Sequence, residues 1–138
     1  MGYRVEVAGA TGAVGREMLR TLAERQFPAD KIFALASSSS VGKEISYGDD
    51  ETLTVSALDK FDFTQADIAL FSAGGDLAKK FAPVAGDAGC IVIDNSSAFR
   101  MEDDVPLIVP EVNPHTVSSC LKSQGGRNII ANPNCSTA

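Results

Sequence analysis

The sequence is poor in the residues that build metal clusters and covalent frameworks. Its 138 residues contain no tryptophan, one histidine and three cysteines, Cys90, Cys120 and Cys135, an odd number without CxxC spacing. That argues against a disulfide scaffold and a zinc cluster, and each thiol has to be judged by its own surroundings. Excess positive charge is missing too. The 12 Lys and Arg stand against 18 Asp and Glu, a formal net charge of -6, which leaves no electrostatic footprint for nucleic acid or for an anionic membrane surface. An anionic ligand must therefore be held by local groups against the overall field. No apolar run approaches the roughly 18 residues that span a bilayer, and the N-terminus reads as a short strand where a signal peptide needs a longer apolar stretch. The expected setting is soluble and cytoplasmic. There is no internal repeat, and the longest low-complexity tract is Ser37 to Ser40.

What is present is an alternation of short apolar strands and helices. Length and a hydrophobic content of 44% fit one domain over residues 1–138, and no linker divides it. Tyr3 to Ala8 reads as a strand, Gly9 to Gly15 as a glycine loop, and Val14, Met18, Leu19 and Leu22 share one helical face. Phe27-Pro28 stops that helix, and Ile32 to Ala36 completes a βαβ unit. Two alternating segments between Lys43 and Ala57, flanking Gly48-Asp49-Asp50, predict an inserted hairpin. Ile68 to Ser72 is the next strand, Asp76 to Ala88 a helix, and Cys90 to Asp94 a further strand. Leu107 to Val109 suggests a short strand, Pro114 opens a helix toward Lys122, and Asn128 to Ala131 is the last strand. Strands this apolar are buried on both faces. The fold class is α/β, a Rossmann-type doubly wound, mostly parallel sheet with an inserted β-hairpin.

Gly9, Gly12 and Gly15 are spaced GxxGxxG between the first strand and the first helix, where a pyrophosphate rests on a helix N-terminus. There Thr11, Gly12, Ala13 and Val14 offer backbone N–H groups to phosphate oxygens. A glycine-rich turn is the bland alternative, and the flanking strand and helix argue against it. An NAD site usually carries Asp or Glu about 20 residues after the loop, on the ribose 2′-hydroxyl. Ser37, Ser39 and Ser40, with Lys43 nearby, take that place, and donors without a carboxylate favour NADP over NAD; a solvated serine loop is the alternative. Ala73 and Gly74, in Ser72-Ala73-Gly74-Gly75, would let a cofactor cross the strand ends, although an ordinary strand-end turn explains them as well.

Asn132-Pro133-Asn134-Cys135 leaves the last strand by a proline turn and presents a thiol where a helix would begin. A helix N-terminus stabilises thiolate and can lower a cysteine pKa from about 8.5 toward 7 or below. The same N–H groups, with the Asn134 amide, would donate to an oxyanion. From spacing alone a buried structural role for Cys135 stays equally open. Cys90 and Cys120, on core faces, read as packing. Arg100 follows a strand end and suits a bidentate phosphate or carboxylate contact, while His115 reads as an exposed polar residue.

Taken in order, GATGAVG, LASSSSVGK, IDNSSAFR, VPEVNP and NPNCST resemble the aspartate-semialdehyde dehydrogenase family over the whole chain. The resemblance implies that Cys135 forms an acyl-thioester, that the glycine loop holds NADP, and that Arg100 grips the phosphate of aspartyl phosphate, with Asn134 beside the substrate. It implies reduction to aspartate semialdehyde with release of phosphate, in the synthesis of lysine, threonine, methionine and isoleucine, by a homodimer. The family commonly has arginine where this chain has Ser39, so a weaker NADP preference is expected. Its histidine acid/base and further substrate residues follow the cysteine, in a second domain that this chain lacks. The chain alone is therefore expected to bind nucleotide without turnover, and to expose surface that the second domain covers. N-acetyl-γ-glutamyl-phosphate reductase is the nearer alternative, opposed by Asn134 and Ser136. A non-catalytic NADP-sensing module is the other.

Overall fold

The first strand sets the pattern for the rest: β1 (Tyr3–Ala8) is buried over its last four residues, on both faces, as a central parallel strand must be. The computed structural model describes residues 2–133. After β1 come α1 (Ala13–Glu24), β2 (Ala29–Ala36), a hairpin of β3 (Glu44–Tyr47) and β4 (Glu51–Thr54), and β5 (Ser56–Ala57). Then follow β6 (Ile68–Phe71), α2 (Gly75–Asp87), β7 (Ile91–Asp94) and β8 (Ile129–Ala131). The main sheet has six strands in the order β5-β2-β1-β6-β7-β8, every pair parallel. This is the doubly wound order, reversing direction between β1 and β6. The hairpin lies apart as an antiparallel pair, Glu44 opposite Thr54 and Tyr47 opposite Glu51.

Three apolar clusters pack against the sheet, the smallest formed by Ile108, Cys120 and Ile130 beside β7 and β8, and the two larger ones flank it. On one face Leu19 of α1 packs with Val7, Ala34 and Ala36, and the hairpin adds Ile45. On the other, Ala78, Ala82 and Ala85 form an alanine face that lets α2 lie close to Phe71 and Val92. Beside them runs an aromatic chain: Phe33 to Phe61 at 5.0 Å, Phe61 to Phe63 at 5.1 Å, Phe63 to Phe71 at 6.4 Å between centroids. Helix α1 ends before Phe27-Pro28. Gln26 adopts φ +52°, the Gln26 N–H donates to Ala23 O and the Phe27 N–H to Leu22 O, a Schellman closure made without glycine. Among the described residues no helix is long and apolar enough to cross a membrane.

Four sequence expectations are corrected. The second hairpin segment stops at Thr54, and Ser56–Ala57 pairs with β2 as an edge strand instead. Leu107 to Val109 makes a lone bridge, Leu107 to Ala131, because Pro106 and Pro110 on either side lack the N–H a longer ladder needs. The Pro114 segment is a 3₁₀ turn, Pro114–Cys120, followed by another, Lys122–Gln124. There the Thr116 hydroxyl donates to Asn113 O and the Ser119 hydroxyl to Thr116 O, side-chain bonds that compete with a regular helix.

The last correction is chemical. The strands are not apolar throughout, because Glu6, at the centre of β1, is 0% exposed with neither carboxylate oxygen hydrogen-bonded. Its register neighbours are Phe33 and Ala69. The nearby Arg4 is committed to Asp67, with Nη2 to Oδ1 at 3.0 Å. Burial therefore pushes the Glu6 carboxyl well above its ordinary value of 4.5. The folded chain keeps a proton there that the unfolded chain loses above the usual carboxylate range, so stability must fall as pH rises until the folded carboxyl itself ionises. In urea unfolding followed across neutral pH, Glu6→Gln is expected to gain on the wild type by about 1.4 kcal/mol per pH unit within that window. Parallel pH profiles for the two proteins would show that Glu6 is not protonated in the fold.

Candidate functional site

Because every strand of the main sheet is parallel, all their C-terminal ends lie along one edge, and the reversal between β1 and β6 opens a crevice there. The turn after β1 enters it. The N–H groups of Gly9 and Ala10 both donate to Leu35 O, at 2.9 and 3.1 Å, which ties the turn to the end of β2. Gly9 has φ +84°, and a Cβ on it would lie 2.7 Å from Ser72 O, at the end of β6. A Cβ on Gly15 would collide with Gly9 O, so α1 begins with its backbone against the turn. Gly12 differs. It is the N-cap of α1 at φ -79°, makes no side-chain cap, and a Cβ there would meet only Gly9 O, at 3.5 Å. Thr11 is half-buried and Gly12, Ala13 and Val14 are exposed; the Gly12 N–H, expected to be free for a phosphate, donates instead to Gly9 O at 3.1 Å and closes the turn, while the N–H groups of Ala13 and Val14, in the first turn of α1, lack intrahelical partners.

The serine run after β2 forms a 3₁₀ turn, Ser38–Ser40. Ser37 and Ser39 are exposed with their hydroxyls 2.9 Å apart, whereas Ser40 is buried and its N–H donates to Ser37 O. After β6 the Ser72 hydroxyl donates to Ala8 O at 3.1 Å, holding the two crevice turns together. Ala73 is half-buried, and Gly74, at φ +91°, caps α2 with open space where a side chain would stand.

Further along the same edge, Arg100 is half-buried, with Nε donating to Asn132 O at 2.8 Å and Nη2 to Asn95 O at 3.1 Å. The Asn132 amide donates to Asn95 Oδ1 at 2.9 Å. Asn95 and Asn132 lie far apart in the sequence, and nothing in their local pattern marks them as site residues. Asp94, 0% exposed, is satisfied by the Ser96 N–H and hydroxyl at 3.0 and 2.7 Å. His115 is exposed.

Cys90 and Cys120 are fully buried. The Cys90 thiol donates toward Phe63 O and Ala66 O at 3.1 Å, and burial, reinforced by Glu6, pushes its pKa up to about 12. Burial also raises Cys120. Neither is a nucleophile. Asn134 and Cys135 lie outside the described residues, beyond Pro133.

Comparison with known proteins gives a consistent picture. Residues 4–120 match the family described as semialdehyde dehydrogenase, NAD binding domain. The chain is 53% identical over 133 residues to the aspartate-semialdehyde dehydrogenase of Rickettsia bellii, covering 96% of this chain and 38% of that protein. It is 52% identical over 135 residues to aspartate-semialdehyde dehydrogenase 2 of Vibrio cholerae, covering 98% and 39%. It thus spans about two-fifths of the curated relatives it matches. Among solved structures it resembles aspartate semialdehyde dehydrogenase II of Vibrio cholerae complexed with ASA, with TM-score 0.92 and 51% identity over 99% of this chain and 43% of that one. It also resembles the Candida albicans aspartate semialdehyde dehydrogenase with NADP, with TM-score 0.73 and 30% identity over 99% and 44%.

The glycines make separable predictions. Gly15→Ala must displace the Gly9 turn and is expected to cost at least about 2 kcal/mol of folding stability, the scale of core overpacking. Gly12→Ala replaces a residue at ordinary φ with room for a methyl group, and should leave the thermal midpoint within about 2 °C of wild type. Equal destabilisation by both substitutions would contradict this division.

Proposed function

This chain belongs to the semialdehyde dehydrogenase family, and from that membership we propose that residues 1–138 are the NADP-binding domain of an aspartate-semialdehyde dehydrogenase. The observation that supports it most is the shared edge: the glycine turn, the serine turn, the Ser72–Gly74 turn and Arg100 all follow C-terminal ends of parallel strands. The residues fit a dinucleotide. Gly12 and Gly74 leave room where side chains would obstruct a ligand, and the start of α1 offers N–H groups to a pyrophosphate. Ser37 and Ser39 are exposed hydroxyls in the place of a 2′-hydroxyl carboxylate, which favours a 2′-phosphate. When bound, the nicotinamide supplies the hydride.

The chain's own residues do the rest in this reading. The Cys135 thiolate adds to the acyl carbon of aspartyl 4-phosphate, Asn134 and the turn's N–H groups hold the oxyanion, and the carbon–oxygen bond to phosphate breaks. Phosphate leaves beside Arg100. The thioester is then reduced and released as aspartate 4-semialdehyde, regenerating the thiolate. An acid/base partner from the remainder of a full-length enzyme completes turnover, so this chain alone binds nucleotide without measurable catalysis. The full-length enzyme is a cytoplasmic homodimer serving lysine, threonine, methionine and isoleucine synthesis.

Calorimetry tests the cofactor half: NADP is expected to bind more tightly than NAD, and Gly12→Ala to weaken binding by about tenfold, since a methyl group takes the space the phosphates need. Alkylation by iodoacetamide tests the other half. Cys135 should react first of the three thiols, with a pH midpoint below the ordinary value of about 8.5. A slow Cys135 with an unshifted midpoint, together with intact nucleotide binding, would point to a nucleotide sensor without chemistry.

A further inference from the structure

We infer that the side chains of Asn95 and Asn132 are a positioning pair that fixes Arg100 at the ends of β7 and β8; the inference rests on the proposed role of Arg100 as the phosphate ligand. The last paired residues of β7 and β8 are Asp94 and Ala131, and each strand then leaves the sheet. One residue further, the backbones are still tethered, the Asn132 N–H donating to Asp94 O and the Asn95 N–H to Phe71 O, both at 2.9 Å. Past that point the ladder has nothing to hold it. The amide contact from Asn132 Nδ2 to Asn95 Oδ1, 2.9 Å, extends the pairing by one step through side chains.

That step carries the guanidinium. Arg100 binds the two main-chain carbonyls of these same residues, Nε to Asn132 and Nη2 to Asn95. The three contacts close a ring in which the spacing of the carbonyls, and hence the tilt of the planar guanidinium, is set by the amide pair. Among the described residues Arg100 has no other partner, so three of its five donors stay available. Residue chemistry matters as much as geometry. Carbonyls and amides hold the guanidinium without neutralising it, while the carboxylate at this strand end, Asp94, is bonded to Ser96 instead. A carboxylate at position 95 or 132 would compete with an anionic ligand for the same charge. Asn132 also precedes Pro133, which disfavours helical backbone at Asn132 and so restricts the carbonyl that Arg100 Nε binds.

The test is steady-state kinetics of the full-length enzyme in the phosphate-consuming direction, with aspartate semialdehyde, NADP and inorganic phosphate. Arg100→Ala and Asn95→Ala are each expected to raise the KM for phosphate by about 10- to 100-fold, the usual cost of losing a ligand's orienting partner, with the KM for NADP unchanged. Asn132→Ala removes the same amide bond from the donor side and keeps the carbonyl, so it should match Asn95→Ala, and it stands in if Asn95→Ala does not fold. The double variant should be no worse than either single one, because both delete one contact. A phosphate KM within twofold of wild type in both asparagine variants, with Arg100→Ala impaired, would overturn the positioning role and leave the reading of Arg100 standing. A normal phosphate KM in Arg100→Ala would remove that reading, and the inference with it.

Discussion

The contact on which the molecule depends is between two stretches of backbone that have no side chains to keep them apart. Gly9 O occupies the place where a Cβ on Gly15 would stand, and the missing Cβ of Gly9 leaves room for Ser72 O on the other side. Three elements, β1, α1 and the end of β6, thereby converge on one turn. Were any of them held off by a methyl group, α1 would start further from the sheet and its first-turn N–H groups would no longer open onto the crevice between β1 and β6. The topological reversal supplies the crevice, but the glycines decide how near a helix dipole comes to it.

Much of this was legible in the sequence because a central parallel strand has an unusual signature, apolar on both faces and short. β6, β7 and β8 were recognisable on that ground, β1 by the glycine turn and helix that follow it, and Gly48-Asp49-Asp50 marked the hairpin turn. What escaped was set by tertiary contacts. β5 has too few residues to show a period, and its place on β2 depends on how the hairpin returns the chain. The 3₁₀ turns from Pro114 onward carry apolar residues at helical spacing, yet hydroxyl-to-carbonyl bonds prevailed over periodicity. Glu6 escaped for the opposite reason. A carboxylate within YRVEVA looks like the polar side of an edge strand, and only the register with Phe33 and Ala69 reveals that it is enclosed.

The candidate site divides along the same line. The glycine turn and the serine turn are local features, each readable from a few consecutive residues next to a strand end. Arg100 was readable as an arginine after a strand, but its partners were not. Asn95 and Asn132 are 37 positions apart, and asparagines near prolines and serines look like ordinary turn formers. A side-chain pair between two strand ends has no sequence period and no spacing rule. It becomes visible only when the sheet has brought β7 beside β8.

An acidic protein that is to hold anions must separate local field from net charge, and here exposed carboxylates are left to solvent while the site presents hydrogen-bond donors. Acidic residues gather on the hairpin turn, at Asp49 and Asp50, and in the loop at Glu102, Asp103 and Asp104, all exposed, where solvent and salt screen them over about 10 Å. At the strand-end edge the groups turned outward are helix N–H dipoles, serine hydroxyls and a guanidinium held by neutral carbonyls. Of the carboxylates near this edge, Asp94 is fully buried and taken up by Ser96, and Asp76, in the first turn of α2, is exposed to solvent. A net charge of -6 then costs the site little, because donors in direct contact with a ligand outweigh exposed charges that water and salt screen. The same reasoning explains why Arg100 rests on peptide carbonyls: an ion pair would fix it equally well but would spend its charge before a ligand arrived.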